Sequence, residues 1–177
     1  MKNPSAATRI VATAEIETPL GTMTALASAR GLAALWFDAR ERFAAAAADA
    51  GQDDGQDDGH AAIAAARRWL QAYWSGDDPG AIAVPLDLQG TPLQRTVWAQ
   101  LLAIPFGCTR SYGEVAAAAG LSPRAAARAT GAACGANPVG LIVPCHRVLG
   151  AKGALTGFSA GIERKIALLR HEGAWLA

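Results

Sequence analysis

The sequence predicts an α+β fold in which a small antiparallel sheet precedes a helical half. Three short strand-like runs lie within the first 40 positions, whereas helix start signals dominate after residue 90. The charge changes at the same place. Residues 1–90 carry seven basic and 12 acidic side chains, and residues 91–177 carry nine and three. We therefore expect two domains, 1–90 and 91–177, in the 177-residue chain.

The N-terminal half predicts a hairpin, a third strand and two helices. From Ile10 to Ile16 every second residue is apolar, and Thr18-Pro19-Leu20-Gly21 supplies a turn before the pattern resumes over 23–27. A third strand is predicted over 31–37, and helices are predicted over 44–50 and 61–74. Between the helices, Gly-Gln-Asp-Asp occurs twice in succession, and this acidic tract predicts an exposed loop.

Helix start signals recur through the C-terminal half. Thr91-Pro92-Leu93-Gln94 and Ser111-Tyr112-Gly113-Glu114 are both capping boxes. The first helix is predicted to bury Leu93, Val97, Trp98, Leu101 and Leu102. The second ends at Gly120, and Ser122-Pro123 begins a third that runs to about Cys134. Two short helices joined by a glycine-containing turn match a helix-turn-helix.

A last helix is predicted after a glycine-rich turn over 150–157. Ser159 is the expected N-cap, and Ile162, Ile166 and Leu169 share one face before Gly173 ends the helix. Glu172 lies near this C-terminus, where a carboxylate opposes the helix dipole. That misfit points to a specific partner, for which a histidine is suited.

The composition indicates the cellular compartment and the class of partner. No stretch approaches the roughly 20 apolar residues that a membrane span needs, and the first eight residues lack the apolar core of a signal peptide. Three cysteines without paired spacing argue against a disulfide framework, so we expect a cytoplasmic protein. The basic second half favours a polyanionic partner, with chance charge scatter as the alternative.

The strongest chemical signal is the run Leu141-Ile142-Val143-Pro144-Cys145-His146-Arg147-Val148-Leu149. Its apolar start suits a buried strand, and Pro144 makes the chain turn before the thiol. A cysteine reacts as a thiolate, which a neighbouring basic or cationic group helps to form. The alternative is a buried cysteine beside an exposed histidine, since adjacent strand residues face opposite sides.

Three other features have functional and structural interpretations. The third predicted C-terminal helix carries Arg124 and Arg128 among small residues, which suits a groove of nucleic acid or a tightly packed core helix. Asn137 precedes Pro138, where it either organises the reactive turn or simply caps a loop. Tyr112 is either a proton donor or a core aromatic.

These motifs together resemble the O6-alkylguanine-DNA alkyltransferase family, also called the methylated-DNA–protein-cysteine methyltransferases. The resemblance covers nearly all of residues 88–173 and is looser before them. Its most specific parts are Asn137-Pro138, the Pro144-Cys145-His146-Arg147 run, and Ser111-Tyr112-Gly113-Glu114. It implies an N-terminal ribonuclease-H-like sheet with a helix and a C-terminal winged-helix-like helix-turn-helix domain.

The resemblance implies direct-reversal repair of double-stranded DNA that contains O6-alkylguanine, by a monomer that uses no cofactor or metal. Cys145 takes the alkyl group once and is not regenerated. His146 removes its proton through a water, Glu172 orients His146, Asn137 organises the turn, and Tyr112 donates to the guanine. The substrate- and DNA-binding residues that we assign on the same basis are Arg128, which fills the gap left by the flipped nucleotide, Ser159, Val148, Phe158, Arg147, Cys134 and Ala129.

Two other classes of protein are alternatives to an alkyltransferase. A lesion-binding relative would lack the acceptor cysteine, which is present here. A Cys-His hydrolase would need an oxyanion site, for which nothing beyond the Cys145-His146 pair argues. A metal site is not expected, because no His or Cys pair has zinc-type spacing.

Overall fold

The computed structural model describes residues 9–38, 57–81 and 83–175. The chain divides into two compact units at Gln89 and Gly90. The helix predicted over 44–50 and the acidic tract lie outside the described residues, except for the last two positions of the tract. Among the residues described, no helix is long and apolar enough to cross a membrane.

The N-terminal unit is a three-stranded antiparallel sheet in the order β1–β2–β3. The strands are β1 (Ile10–Ile16), β2 (Met23–Ser28) and β3 (Gly31–Phe37). Helix α1 (Asp57–Trp74) packs against all three strands and begins four residues earlier than predicted. β2 and β3 are buried along their whole length, so the sheet forms the core of this unit.

One polar cluster lies at the edge of this sheet, where the turn between β2 and β3 meets the segment around Asp87. The Asp87 carboxylate is 6% exposed and accepts a hydrogen bond of 2.6 Å from Ser28 Oγ. The Arg30 guanidinium lies 2.9 Å from the same carboxylate, but its side chain is 67% exposed. Beside it, the backbone N–H of Leu32 donates to Pro85 O over 2.8 Å. We call Ser28, Arg30 and Asp87 the sheet-edge cluster.

The C-terminal unit is mainly helical. Its helices are α2 (Pro92–Leu102), α3 (Tyr112–Ala118), α4 (Pro123–Gly135) and α5 (Ile162–His171). Two short parallel strands, β4 (Arg110–Ser111) and β5 (Val148–Leu149), pair beside them. Both predicted capping boxes are present, and Trp98 Nε1 donates to Ala133 O over 2.9 Å, which joins α2 to α4.

The mixture of an antiparallel sheet and helices confirms the predicted fold class at this level. Three details of the C-terminal helices were wrong. Leu93 and Leu102 are 40% and 44% exposed, because the buried stripe of α2 is limited to Val97, Trp98 and Leu101. The N-cap of α5 is Gly161 rather than Ser159, since a φ of 95° at the turn favours glycine.

Candidate active site

The segment that carries the thiol is a series of tight turns rather than the predicted strand. Leu141 has a φ of 64°, and Val143 N donates to Val139 O over 3.0 Å, so backbone hydrogen bonds stay local. Pro144 has no N–H to offer a neighbouring strand, and Cys145–Arg147 form one turn of 3₁₀ helix. Cys145 and His146 are therefore not forced to opposite faces of a sheet.

Asn137 organises these turns around the thiol. Its side-chain Nδ2 donates to Val143 O over 2.8 Å and to Cys145 Sγ over 3.3 Å, while its Oδ1 accepts from Val139 N over 3.0 Å. Asn137 is fully buried and Cys145 is 5% exposed. Both ends of one amide thus bind the loop before Pro144, and Nδ2 also contacts the sulphur after it.

His146 and Glu172 form a buried pair. His146 Nε2 lies 2.6 Å from Glu172 Oε1, and both side chains are completely inaccessible to solvent. The histidine partner that the position of Glu172 predicted is therefore His146. His146 Nδ1 is also buried and has no hydrogen-bond partner among the described residues. With Nε2 donating to the carboxylate, Nδ1 carries the lone pair that can accept a proton.

Arg147, which the resemblance assigned to substrate and DNA binding, is turned into the protein. Its Nε donates to Glu172 Oε2 over 2.7 Å, its Nη2 to Glu172 Oε1 over 3.1 Å, and its Nη1 to Ile104 O over 2.6 Å. The side chain is 7% exposed, and its guanidinium carbon lies 5.8 Å from the centre of the Phe106 ring. The buried carboxylate holds the guanidinium inside the protein.

Burial and charge set the protonation of these groups. Burial raises the pKa of the Cys145 thiol, although the Asn137 amide and the Lys165 ammonium oppose the rise. Burial also lowers the pKa of His146 against the opposing effect of Glu172. Burial alone would raise the pKa of Glu172, but the hydrogen bonds and charges of His146 and Arg147 lower it to about 2. Near neutral pH these shifts favour a thiol, a neutral imidazole and a carboxylate.

Lys165 is a buried cation that sequence reasoning missed. It is completely buried on α5, and its Nζ donates to Val148 O over 2.6 Å. Burial lowers its pKa, whereas the two thiols Cys145 and Cys134 raise it, so the cation acts electrostatically on both. Its spacing from Ile162 (three residues) and Leu169 (four residues) puts it on the predicted apolar face, and this signal could have identified it.

Cys145 opens into a pocket of about 290 Å³. The pocket is lined by Tyr112, Gly131, Cys134, Gly135, Cys145, Gly157, Phe158 and Ser159. Four of the predicted binding or proton-donating residues thus meet here. The Tyr112 hydroxyl accepts from Thr156 Oγ1 over 3.3 Å, which leaves its own proton free to point elsewhere. Burial raises the pKa of Tyr112, so the phenol stays protonated.

The other predicted binding residues do not line this pocket. Arg128 is exposed on α4, and Ala129 beside it is half-buried. Val148 is buried in β5, where its carbonyl accepts from Lys165 and its N–H donates to Cys145 O. Among the residues described, no cluster of three His, Cys, Asp or Glu side chains is arranged to hold a metal ion.

Comparison with known proteins gives one consistent family. The model of the 6-O-methylguanine DNA methyltransferase DNA-binding domain matches residues 92–174. The methylated-DNA–protein-cysteine methyltransferase of Mycobacterium bovis is 54% identical over 103 residues, which cover 58% of this chain and 61% of that relative. The matched segment therefore spans about three fifths of that curated relative.

Solved structures match over almost the whole chain. The O6-methylguanine methyltransferase of Mycobacterium tuberculosis is 39% identical with a TM-score of 0.71 and 92% coverage of both chains. A structure of OGT from the same organism in complex with DNA is 40% identical, with a TM-score of 0.73 and coverage of 90% of this chain and 91% of that one.

Proposed function

Since the chain belongs to the 6-O-methylguanine DNA methyltransferase family, we propose that it repairs alkylated DNA by direct reversal. In this proposal one alkyl group passes from O6-alkylguanine in DNA to Cys145. The observation that carries it is the buried Cys145 thiol, which opens into a pocket and lies next in the chain to the His146–Glu172 pair. The sulphur keeps the alkyl group, so each molecule acts once.

The transfer is a single displacement. The Cys145 proton moves through a water to His146 Nδ1, and the resulting thiolate attacks the alkyl carbon. The carbon–oxygen bond breaks as the carbon–sulphur bond forms, and the bonding electrons stay on the guanine oxygen. Because burial raises the thiol pKa, a base is needed at this step. Glu172 stabilises the imidazolium that forms, and the buried Lys165 cation favours the thiolate.

The pocket residues then act on the guanine. The Tyr112 hydroxyl donates a proton to the departing base, which leaves neutral. Ser159 hydrogen-bonds the modified oxygen, Phe158 packs against the ring, and Cys134 limits the space beside the alkyl group. Backbone groups around Val148 contact the base edge. The roles of Tyr112, Phe158, Ser159 and Cys134 are supported by the pocket that these four residues line.

The proposed DNA partner is double-stranded. Helices α3 and α4, joined at Gly120 with a φ of 70°, would act as a helix-turn-helix within a winged-helix-like domain over 91–177. Arg128 would fill the duplex as the nucleotide flips out, and the small Ala129 would let α4 approach the groove. The sheet and α1 would form a ribonuclease-H-like domain over 1–90. We further propose a cytoplasmic monomer.

Intact-protein mass spectrometry tests the transfer. Incubation with a duplex oligonucleotide that carries O6-methylguanine should add one methyl group per molecule, on Cys145. The Cys145→Ala variant should gain none. Repeated turnover, or tight lesion binding without a change in mass, would overturn the proposal.

Arg128→Ala tests the role of the exposed arginine. The variant should lose far more activity on a duplex lesion than on the free alkylated base, because only the duplex must be opened. Arg170→Ala, which removes an exposed arginine from α5, is the matched control. Equal losses on both substrates would remove the proposed role.

A further inference from the structure

The carboxylate of Glu172 binds two side chains, His146 and Arg147. Its Oε1 binds His146 Nε2 at 2.6 Å and Arg147 Nη2 at 3.1 Å. Its Oε2 binds Arg147 Nε at 2.7 Å and the Gly107 N–H at 3.3 Å. Arg147 therefore approaches both oxygens, and one of them is the oxygen that His146 uses.

The proposed transfer step assigns nothing to Arg147. Its guanidinium does not line the pocket, and Nη1 donates to the Ile104 carbonyl. A buried guanidinium is expensive to desolvate, and replacing such a pair with apolar groups is often neutral or stabilising. A functional reason for keeping it would therefore lie in what it does to Glu172 and His146.

The charges that face His146 act in opposite directions. Glu172 favours the imidazolium, while Arg147, Lys165 and burial favour the neutral ring. A buried carboxylate with no other partner would pull a proton onto His146 near neutral pH. A protonated His146 could not accept the proton of the neighbouring Cys145. The guanidinium both offsets the charge of Glu172 and competes for Oε1.

We propose that Arg147 is a positioning residue that holds both oxygens of Glu172 and keeps His146 an unprotonated acceptor at and below neutral pH. This inference rests on the proposed function for its consequence in alkyl transfer. The protonation of His146 itself can be measured whether or not transfer occurs.

The direct test is an NMR titration of ¹⁵N-labelled histidine rings in the full chain. The chain has three histidines, and a His146→Asn variant identifies the signal of interest. In Arg147→Gln the titration midpoint of His146 should rise by about one pH unit, because one neighbouring cation is lost. Arg147→Lys keeps the charge but cannot span both oxygens, so its midpoint should rise less.

Arg30→Gln is the matched control, since Arg30 also pairs with a buried carboxylate but belongs to the sheet-edge cluster. Its His146 midpoint should not move. Circular dichroism checks that each variant is folded. If Arg147→Gln does not fold, Arg147→Lys decides, since it retains the buried charge. An unchanged midpoint in the folded variant overturns the inference.

The rate of alkyl transfer gives the second readout. Single-turnover rates on the methylated duplex should fall on the acid side at a higher pH in the Arg147 variants than in the parent protein. A merely structural role would lower the rate equally at every pH, which would count against the inference. If no variant or parent transfers alkyl groups while the NMR midpoint still rises, the proposed function fails and the assignment of Arg147 stands.

Discussion

Among the described residues, two buried carboxylates each bind an arginine, and they differ in what surrounds them. In the sheet-edge cluster, Asp87 also accepts hydrogen bonds from the Ser28 hydroxyl and the Gln89 amide, and Arg30 is 67% exposed. In the C-terminal unit, Glu172 binds a histidine and an arginine that is only 7% exposed. We call His146, Arg147 and Glu172 the buried triad.

The difference shows which surroundings allow a carboxylate cluster to take part in proton transfer. The hydrogen bonds to Asp87 join the end of β2 to a segment 59 residues later in the chain, and solvent screens the charge of Arg30. The partners of Glu172 include a group that titrates near neutral pH, next in sequence to a thiol. Because little solvent reaches the buried triad, each of its charges acts strongly on the others. An arginine–carboxylate pair therefore joins two segments of the fold in one place and, in our proposal, sets the proton affinity of His146 in the other.

The largest expected contrast is in alkyl transfer. Glu172→Gln should slow single-turnover transfer by about 10²- to 10⁴-fold, the range of general acid–base contributions, because His146 loses the charge that stabilises its protonated form. Asp87→Asn should leave the rate within about twofold, since no base depends on it. A comparable loss in both variants would mean that the two clusters do not differ in kind.

Folding stability should separate the two arginines next. Arg147→Met leaves a buried carboxylate without its cation and should lower the free energy of unfolding by about 3–5 kcal/mol. Arg30→Met breaks an exposed ion pair and should cost about 0–1 kcal/mol. Urea denaturation of both variants measures the contrast. A small effect at Arg147 would indicate that packing rather than charge holds the triad.

The pH dependence of stability sharpens the same contrast. The pKa of Glu172 falls from its ordinary value of 4.5 to about 2 on folding. The unfolded chain therefore binds more protons between these values, so this stabilisation is complete above pH 4.5 and is lost as the pH falls through about 2. Its full size is about 3 kcal/mol. Denaturation between pH 7 and 2 should show this slope, and Glu172→Gln should lack it.

The smallest expected contrast concerns one hydroxyl near each cluster. Ser28→Ala removes a donor to buried Asp87 and should cost about 1 kcal/mol of stability without changing transfer. Thr156→Val removes a donor to Tyr112 at the pocket and should slow transfer by about threefold with little effect on stability. Because that hydrogen bond lowers the pKa of Tyr112, absorbance titration of the phenol should shift upward in Thr156→Val. The Thr156→Ser variant, which keeps the hydroxyl, should restore both values.

Local signals accounted for much of the fold. Alternating residues located β1, and the capping boxes at Thr91 and Ser111 located the starts of α2 and α3, because a capping box is made by residues three apart. The same kind of reasoning failed at Leu93 and Leu102, whose exposure depends on which neighbours cover α2. It also failed over 141–143, where apolar residues lie in buried turns rather than in a strand.

The sequence by itself determined the thiol, its neighbouring histidine and the helices that begin at marked caps, since these depend on residues close together in the chain. Only the tertiary structure decided that Arg147 turns inward, that Lys165 lies buried near two thiols, and that Glu172 meets His146 from 26 residues away. The direction of a long charged side chain depends on which buried partner competes with water for it. That competition is settled by packing between distant segments, which no local pattern encodes.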